Sequence, residues 1–357
     1  MIPDLLVLKV LREPKTIVSL SLADWDLLLR QARSSNLLAR IHSQLIKQDL
    51  IDYVPTKPRE HLEWTSVIAE RQIKAVHWEV VMIREALVKT GPVILLKGAA
   101  YVMAELPPAQ GRLFSDIDIM VPKDNIPEVE AALMLHGWAT THHDAYDQRY
   151  YRRWMHELPP MRHIKRSSVI DVHHAILPET AAVHPSPDKL RASSCLLDGY
   201  NNLKTFSPAD MVLHSATHLF NESELNNGLR DLVDIDSLLR HFDKLPSFWN
   251  VLVERAKELE LTRVLFYSLR YAKLILHTPI PQSTLDSIKS GRPNQLLLIL
   301  MDSLFTRALM PDHLSCSDWL TKTARHGLYI RGNWLRMPPL MLARHLFHKA
   351  FISPKPE

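Results

Sequence analysis

The sequence is poor in glycine and cysteine. Only nine of its 357 residues are Gly, and their spacing forms neither G-x-G-x-x-G nor a Walker A loop. The two commonest glycine-rich phosphate-binding loops are therefore absent. The two cysteines, Cys195 and Cys316, lie far apart in the sequence. They exclude a cysteine-based zinc site and a disulfide framework, and they fit a reducing compartment.

Long hydrophobic runs and a large excess of one charge are also missing. No stretch reaches the roughly 18 uncharged apolar residues of a membrane span, and a lysine breaks the short apolar run near the start, so neither a span nor a signal peptide is expected. The net charge is only +4, which does not indicate a nucleic-acid-coating protein, although a local basic patch is compatible with it. We therefore expect a cytoplasmic protein without a membrane partner.

The apolar pattern divides the chain into three predicted regions. Residues 1–90 have helical periodicity and include a long helix over about 58–89, whereas residues 91–178 alternate short strands with short helices. Residues 179–357 return to helical spacing. The sequence thus predicts an α+β fold: a small mixed β-sheet core between a helical N-terminal region and a helical C-terminal domain.

A pair of aspartates in a predicted strand over 115–121 gives the clearest chemical signal. Side chains alternate along a strand, so Asp116 and Asp118 point to one side while Ile117 and Ile119 point into the core. Carboxylates held so close repel unless a cation lies between them, and oxygen ligands of this kind suit Mg²⁺ or Mn²⁺. Two solvated aspartates at a strand edge are the alternative, which Asp-x-Asp alone does not exclude.

Three neighbouring features favour a metal site. An apolar strand ends at Lys97-Gly98, where glycine allows close backbone approach and a helix N-terminus can meet phosphate. Arg112 lies shortly before the aspartate pair, next to Gly111. Asp171 follows about fifty residues later in a second apolar strand, and it supplies the third carboxylate that a two-metal site needs.

Five stretches resemble an uncharacterised bacterial nucleotidyltransferase family of the polymerase-β-like superfamily. They are VILLKGAA (93–100), GRLFSDIDIMV (111–121), VIDVHHAI (169–176), SPADMVLHSATHLF (207–220) and LRDLVDIDSLL (229–239). The first three are moderately specific together, and the resemblance covers roughly residues 20–280. One departure concerns phosphate binding: the superfamily's first motif usually has Gly-Ser, whereas Ala99 stands here in place of the serine.

The resemblance implies an enzyme that moves a nucleoside monophosphate from an NTP to an acceptor and releases pyrophosphate. Asp116, Asp118 and Asp171 would hold Mg²⁺ or Mn²⁺ and be the catalytic carboxylates. The residues implied on the nucleotide and phosphate side are Lys97, Gly98, Arg112 and Ser115. The acceptor stays open between a small molecule, a peptide or protein, and RNA. The alternative is a catalytically weak or inactive nucleotide-binding or scaffold protein on the same fold, which the missing serine favours.

Several of the 19 histidines fall near these motifs. His173 shares a strand face with Asp171, so it can orient a metal ligand or bind substrate. His214 and His218 are four residues apart on a predicted helix, a spacing that can bind a metal. Because no acidic residue adjoins His214, we do not expect a metal site there. We expect both histidines to form hydrogen bonds with the predicted helix that contains Asp234. The resemblance implies that His218 and Asp234 dock the helical part and line the acceptor side.

Two basic stretches carry open interpretations. Residues 149–166 mix Arg and Lys with aromatic residues, a pattern that fits a polyanion or a stacked base, or equally a solvated β-hairpin face. A second basic segment, from Arg325 to Lys349, ends a predicted helix over 317–350. It is compatible with contact to RNA or an acidic partner, although a charged helix face is its ordinary explanation. No role is predicted for His142-His143.

Overall fold

Short apolar runs between glycine and proline residues form a seven-stranded mixed sheet. The structure, a computed structural model, describes residues 4–141, 144–338 and 342–343. The strands of its sheet are β1 (Val93–Leu95), β2 (Ile117–Met120), β3 (Trp138–Thr140), β4 (Met161–His163), β5 (Val169–His173), β6 (Cys195–Leu196) and β7 (Leu203–Thr205). Their order is β3-β4-β5-β2-β1-β7-β6, with β2–β5 and β1–β7 parallel and the other neighbours antiparallel.

Helices surround this sheet and make up most of the described chain. They are α1 (Leu6–Arg12), α2 (Leu22–Arg33), α3 (Leu38–Lys47), α4 (Thr56–Ala86), α5 (Lys97–Met103), α6 (Ile126–Leu135), α7 (Ala145–Trp154), α8 (Pro187–Ala192), α9 (Pro208–Asn221), α10 (Gly228–Phe242), α11 (Phe248–Glu258), α12 (Thr262–Leu276), α13 (Gln282–Ser287), α14 (Gln295–Ala308) and α15 (Thr321–Arg336). The predicted α+β class, with a mixed sheet and helical flanks, is confirmed.

Helix α9 is the packing centre of the C-terminal helices. It contacts α10, α11, α12 and α15, and it also touches α5 next to the sheet. Pro208 lies at the start of α9, and Ser207 caps it through the Asp210 amide, in keeping with a helix start that places proline in the first turn. Helix α9 thereby brings His214, Thr217 and His218 to the cavity that Asp118 and Asp171 also line.

One hydrophobic cluster runs through all three predicted regions. Buried apolar side chains from Leu5 to Leu328 belong to it, and β6 and β7 of the sheet lie after residue 178. The division at residues 90 and 178 stays a prediction. None of the described helices has the length and apolar character needed to cross a membrane.

Two local predictions differ from the structure. The β-hairpin considered for residues 149–166 is wrong, because residues 149–154 belong to α7 and only Met161–His163 is a strand in that stretch. Among the described residues, the predicted helix over 317–350 is interrupted: α15 begins at Thr321 and ends at Arg336, and Leu342 and Ala343 are again helical. His142-His143 and the basic residues from Arg344 to Lys349 lie outside the described residues.

Candidate active site

The three predicted carboxylates lie around one cavity at the β2–β5 pair. Asp118 and Asp171 are register partners in these two parallel strands, so their side chains leave the same face of the sheet. Asp116 precedes β2, and all three line a cavity of about 290 Å³. Their neighbours Ile117 and Ile170 are also register partners, and both are buried. Because side chains alternate along a strand, Asp118 and Asp171 face away from these isoleucines and lie together.

Asp118 is the most buried of the three, and a lysine holds it. Only 5% of the residue is exposed, and Lys97 donates a hydrogen bond from Nζ to its Oδ1 over 3.1 Å. Lys97 opens α5 with a φ of +41°, a left-handed conformation that costs a non-glycine residue about 1–3 kcal/mol. The turn from β1 into α5 is thus strained at the residue that reaches Asp118.

His173 bridges Asp118 and a carboxylate that sequence reasoning missed. Its Nε2 lies 3.0 Å from Asp118 Oδ1, and its Nδ1 lies 3.2 Å from Glu157 Oε2. Residues 157 and 173 form an isolated antiparallel bridge, which sets the two side chains opposite each other. Glu157 comes from an irregular segment without strand periodicity, so no sequence pattern marks it.

The electrostatics of the three aspartates differ strongly. Burial and the charges of Asp118 and Glu157 raise the pKa of Asp171 to about 7. Burial and Asp118 also raise the pKa of Asp116. For Asp118 burial acts in the same direction, but Lys97 and the His173 hydrogen bond outweigh it and lower its pKa well below the ordinary value. Two of the three carboxylates therefore lack sufficient positive charge nearby.

Among the residues that the structure describes, none pairs with one of the Asp171 oxygens. Oδ1 is buried and forms no hydrogen bond, although buried carboxylate oxygens are almost always paired. An oxygen of this kind beside two further carboxylates fits a divalent cation such as Mg²⁺, which takes oxygen ligands. The donor set at Asp116, Asp118 and Asp171 thus suits the metal that the sequence predicts.

The predicted phosphate-side residues line a second, smaller cavity. Lys97, Gly98, Arg112 and Ser115 surround about 220 Å³ of space that also touches Asp116 and Asp118. Ser115 is exposed and donates from Oγ to Asp116 Oδ1 over 3.0 Å. The two cavities therefore meet at Asp116 and Asp118, one on the α5 side and the other on the Asp171 side.

Arg112 reaches this cavity already paired with a carboxylate. Its Nε donates to Asp234 Oδ2 over 2.8 Å, and Arg40 donates to the other oxygen, Oδ1, over 3.1 Å. Arg40 also donates to the carbonyl oxygen of Pro107 over 2.6 Å. This buried cluster, Arg40–Asp234–Arg112, joins α3, the loop before β2 and α10.

Two glycines allow that arrangement. A Cβ at Gly98 would lie 2.8 Å from Arg112 Nη1, and a Cβ at Gly111 would lie 2.3 Å from the carbonyl oxygen of Ala39. Gly111 also has a φ of +67°, where side chains are disfavoured. Glycine at both positions lets Arg112 lie against α5 while its loop touches α3.

The prediction for His214, His218 and Asp234 needs correction. Within the described residues neither histidine hydrogen-bonds α10, because Asp234 takes its bonds from Arg40 and Arg112. His214 packs edge-on against Phe206 with ring centroids 5.4 Å apart, and burial lowers its pKa to about 3. His218 lines both cavities. Arg40 and Arg112, rather than a histidine, thus connect Asp234 of α10 to α3 and to the loop before β2.

The sequence did carry one signal for the missed Arg40. It lies in α3 beside Leu37, Leu38 and Ile41, all buried, and a basic residue on an apolar helix face needs a buried partner. Nothing in the pattern identifies Asp234, 194 residues away, as that partner.

Comparison with known protein families places the chain in one of them. Residues 21–277, well over half of the chain, match a family described as uncharacterised nucleotidyltransferase. The protein therefore belongs to this family of nucleotidyltransferases, as its sequence motifs predict. No curated protein and no solved structure matches the chain.

Proposed function

We propose that this protein transfers a nucleoside monophosphate from an NTP to an acceptor hydroxyl in a metal-dependent reaction of the polymerase-β type. The observation that carries the proposal is the in-register pairing of Asp118 with Asp171 beside Asp116, around a cavity in which Asp171 Oδ1 has no partner. Asp116, Asp118 and Asp171 would hold Mg²⁺ or Mn²⁺. When bound, the cations supply charge neutralisation and lower the pKa of the attacking hydroxyl.

The two cavities suggest where the substrates lie. The smaller one is lined by Lys97, Arg112 and Arg230, each paired with an aspartate in the structure. These cations would contact a triphosphate when it binds together with the metal. The larger one contains Asp171, Glu157 and Glu222 and suits the acceptor. An acceptor oxygen there would bond to the α-phosphorus on the other side of Asp116 and Asp118. The bond from that phosphorus to the β-phosphate oxygen would break, and pyrophosphate would leave.

Asp171 is the proposed proton acceptor. Burial and neighbouring carboxylates raise the pKa of Asp171 to about 7 in the metal-free protein. Cations bound at the three aspartates would lower that pKa, so Asp171 would be ionised and able to accept a proton in the loaded site. The proton of the acceptor hydroxyl would pass to Asp171 as the new bond to phosphorus forms. Lys97 would exchange Asp118 for a triphosphate oxygen when NTP binds, since its ammonium lies at the boundary of both cavities.

A nucleotide-binding scaffold is the second candidate. Two observations favour it: Ala99 carries no hydroxyl where the superfamily has serine, and Lys97 and His173 both occupy the same oxygen of Asp118. A scaffold would bind NTP without releasing pyrophosphate. The three carboxylates around one cavity favour the enzyme, because a pocket that only binds has little need of them.

Turnover of labelled nucleotide separates the two candidates. The purified protein is incubated with each α-labelled NTP and Mg²⁺ or Mn²⁺, with itself and a cell extract as acceptors. We expect label transfer and pyrophosphate release that Asp116→Asn and Asp171→Asn abolish and Asp26→Asn, an exposed carboxylate on α2, leaves unchanged. NTP binding without transfer, or transfer that survives Asp171→Asn, would overturn the enzymatic proposal.

A further inference from the structure

A group of three potential metal ligands lies on the Asp171 side of the site, beyond the aspartate triad. His156, Glu157 and His173 each offer one ligand atom, and these atoms lie within 4.8 Å of one another. The residues all line the larger cavity. We propose that they bind Zn²⁺ at a site separate from the Mg²⁺ or Mn²⁺ ligands, in the part of the cavity where the acceptor would lie.

The backbone holds the three ligands in place. His174 donates its N–H to the carbonyl oxygen of His156 over 2.8 Å, and Leu158 donates to the carbonyl oxygen of Val172 over 2.9 Å. These bonds flank the bridge between residues 157 and 173. A segment without regular structure is thereby fixed to the end of β5, so the ligand atoms are pre-positioned.

The contacts of His173 match those of a zinc-ligating histidine. A histidine that binds a metal through one ring nitrogen almost always donates the other N–H to a carboxylate or carbonyl. Nδ1 of His173 faces Glu157 Oε2 at 3.2 Å, while Nε2 lies 3.0 Å from Asp118 Oδ1. Ligand atoms around tetrahedral Zn²⁺ are about 3.4 Å apart, so the first pair already has that spacing.

His156 gives the independent observation that a ligand belongs here. The residue is only 6% exposed, and its Nδ1 is buried without a hydrogen-bond partner in the described part of the chain. Its ring lies 5.4 Å from that of His173, centroid to centroid. A buried ring nitrogen without a partner, close to a second histidine and a carboxylate, indicates a missing polar occupant.

The chemistry of the ligand set selects the cation. Two imidazoles and one carboxylate form the His₂Glu set that holds zinc in catalytic sites and leaves a fourth position for water or substrate. Mg²⁺ prefers oxygen ligands and suits Asp116, Asp118 and Asp171 instead. A cation at this site would also offset part of the negative charge that Glu157 shares with Asp171.

Binding of the metal alone tests the proposal without any NTP. Untagged protein is dialysed against EDTA, then against Zn²⁺, and bound zinc is measured per chain. We expect about one zinc in the wild type, an affinity at least 100-fold lower in His156→Ala and in Glu157→Gln, and no change in His61→Ala, an exposed histidine on α4. Asp116→Asn should keep its zinc, which separates this site from the proposed catalytic metals.

Cobalt provides a second readout that does not depend on any variant folding. Co²⁺ bound by two histidines and a glutamate gives visible absorption bands of four- or five-coordinate geometry. Their absence in the wild type, or zinc binding that His156→Ala and Glu157→Gln leave unchanged, would overturn the proposal and leave His173 as a bridge between two carboxylates. Nucleotide transfer is measured separately, so either result is independent of the proposed function.

Discussion

Asp118→Asn should destabilise the metal-free protein, whereas Asp116→Asn should leave its stability unchanged or raise it. From the sequence alone, Asp118→Asn relieves repulsion and leaves the metal-free protein within about 1 kcal/mol of wild type. In the structure, however, Asp118 Oδ1 accepts hydrogen bonds from Lys97 and lies within 3.0 Å of His173 Nε2. Lys97 is itself only 18% exposed in its side chain, so Asp118→Asn leaves a buried ammonium without its carboxylate.

The expected cost of Asp118→Asn is about 3 kcal/mol. Breaking one side of a buried ion pair typically costs about 3–5 kcal/mol, and Asp116 is near enough to Lys97 to compensate in part. Asp116→Asn should instead be neutral or raise the free energy of unfolding by up to about 1 kcal/mol, because burial and Asp118 disfavour its charged form. Both variants should lose nucleotide transfer.

Urea unfolding in EDTA at pH 7.5 measures the difference. The midpoint should fall for Asp118→Asn and stay or rise for Asp116→Asn, with an unchanged m-value showing that the unfolded surface is the same. Equal midpoints for the two variants would refute the reasoning. Lys97 would then not depend on Asp118 in solution, and it would be free to contact phosphate from the start.

Three further predictions concern pH, packing and nucleotide binding. The fold raises the pKa of Asp171 to about 7, so the stability that its protonated form contributes is fully present below pH 4 and is lost as the pH rises through 7. In thermal melts with EDTA, Asp171→Asn should therefore be up to about 4 kcal/mol more stable than wild type at pH 8 and equally stable at pH 4. An equal gain at both pH values would contradict this. Gly98→Ala puts a Cβ 2.8 Å from Arg112 Nη1 and should lower the free energy of unfolding by about 1–3 kcal/mol in thermal melts. Gly327 lies inside α15, and a Cβ there would come no closer than 3.8 Å to its nearest neighbour, Leu304. Gly327→Ala should therefore raise the free energy of unfolding by about 0.5–1 kcal/mol. In calorimetry with Mg²⁺ and NTP, Lys97→Ala should bind at least about tenfold more weakly than wild type, and an unchanged affinity would remove Lys97 from the phosphate side.

Local patterns account for the part of the fold that the sequence predicts. Residues 116–119 alternate between polar and apolar side chains, and residues 169–172 form a short apolar run around Asp171. Both are local patterns that are typical of strands, so they identify β2 and β5 without reference to the rest of the chain. Helix ends are also set by local signals such as proline, so they are predicted well: the helix predicted over 208–220 is α9, Pro208–Asn221, in the structure. The aromatic and basic residues of 149–154 misled the prediction because Tyr and Trp favour strands on average, yet here they form α7.

The ion pairs of the site could not be predicted from the sequence. Lys97 and Arg112 both carry the charge that a triphosphate needs, and sequence reasoning placed both on phosphate. Their partners depend on contacts between distant elements: Asp234 lies 122 residues after Arg112, and His173 lies 55 residues after Asp118. No local pattern tells which carboxylate a buried cation will meet.

The charge balance of the larger cavity connects these observations. Its lining contains two permanently cationic side chains, Lys97 and Arg336, and five carboxylates, namely Asp116, Asp118, Glu157, Asp171 and Glu222. Arg336 is paired with Glu222 and Lys97 with Asp118, which leaves three carboxylates with at most one imidazolium to share. Such a cavity must either take up protons, as the raised pKa values of Asp116 and Asp171 indicate, or take up cations. At neutral pH and millimolar divalent metal, cations compete well with protons for carboxylates of this kind, so the same residues that would destabilise an empty cavity are those expected to bind metal in the working enzyme.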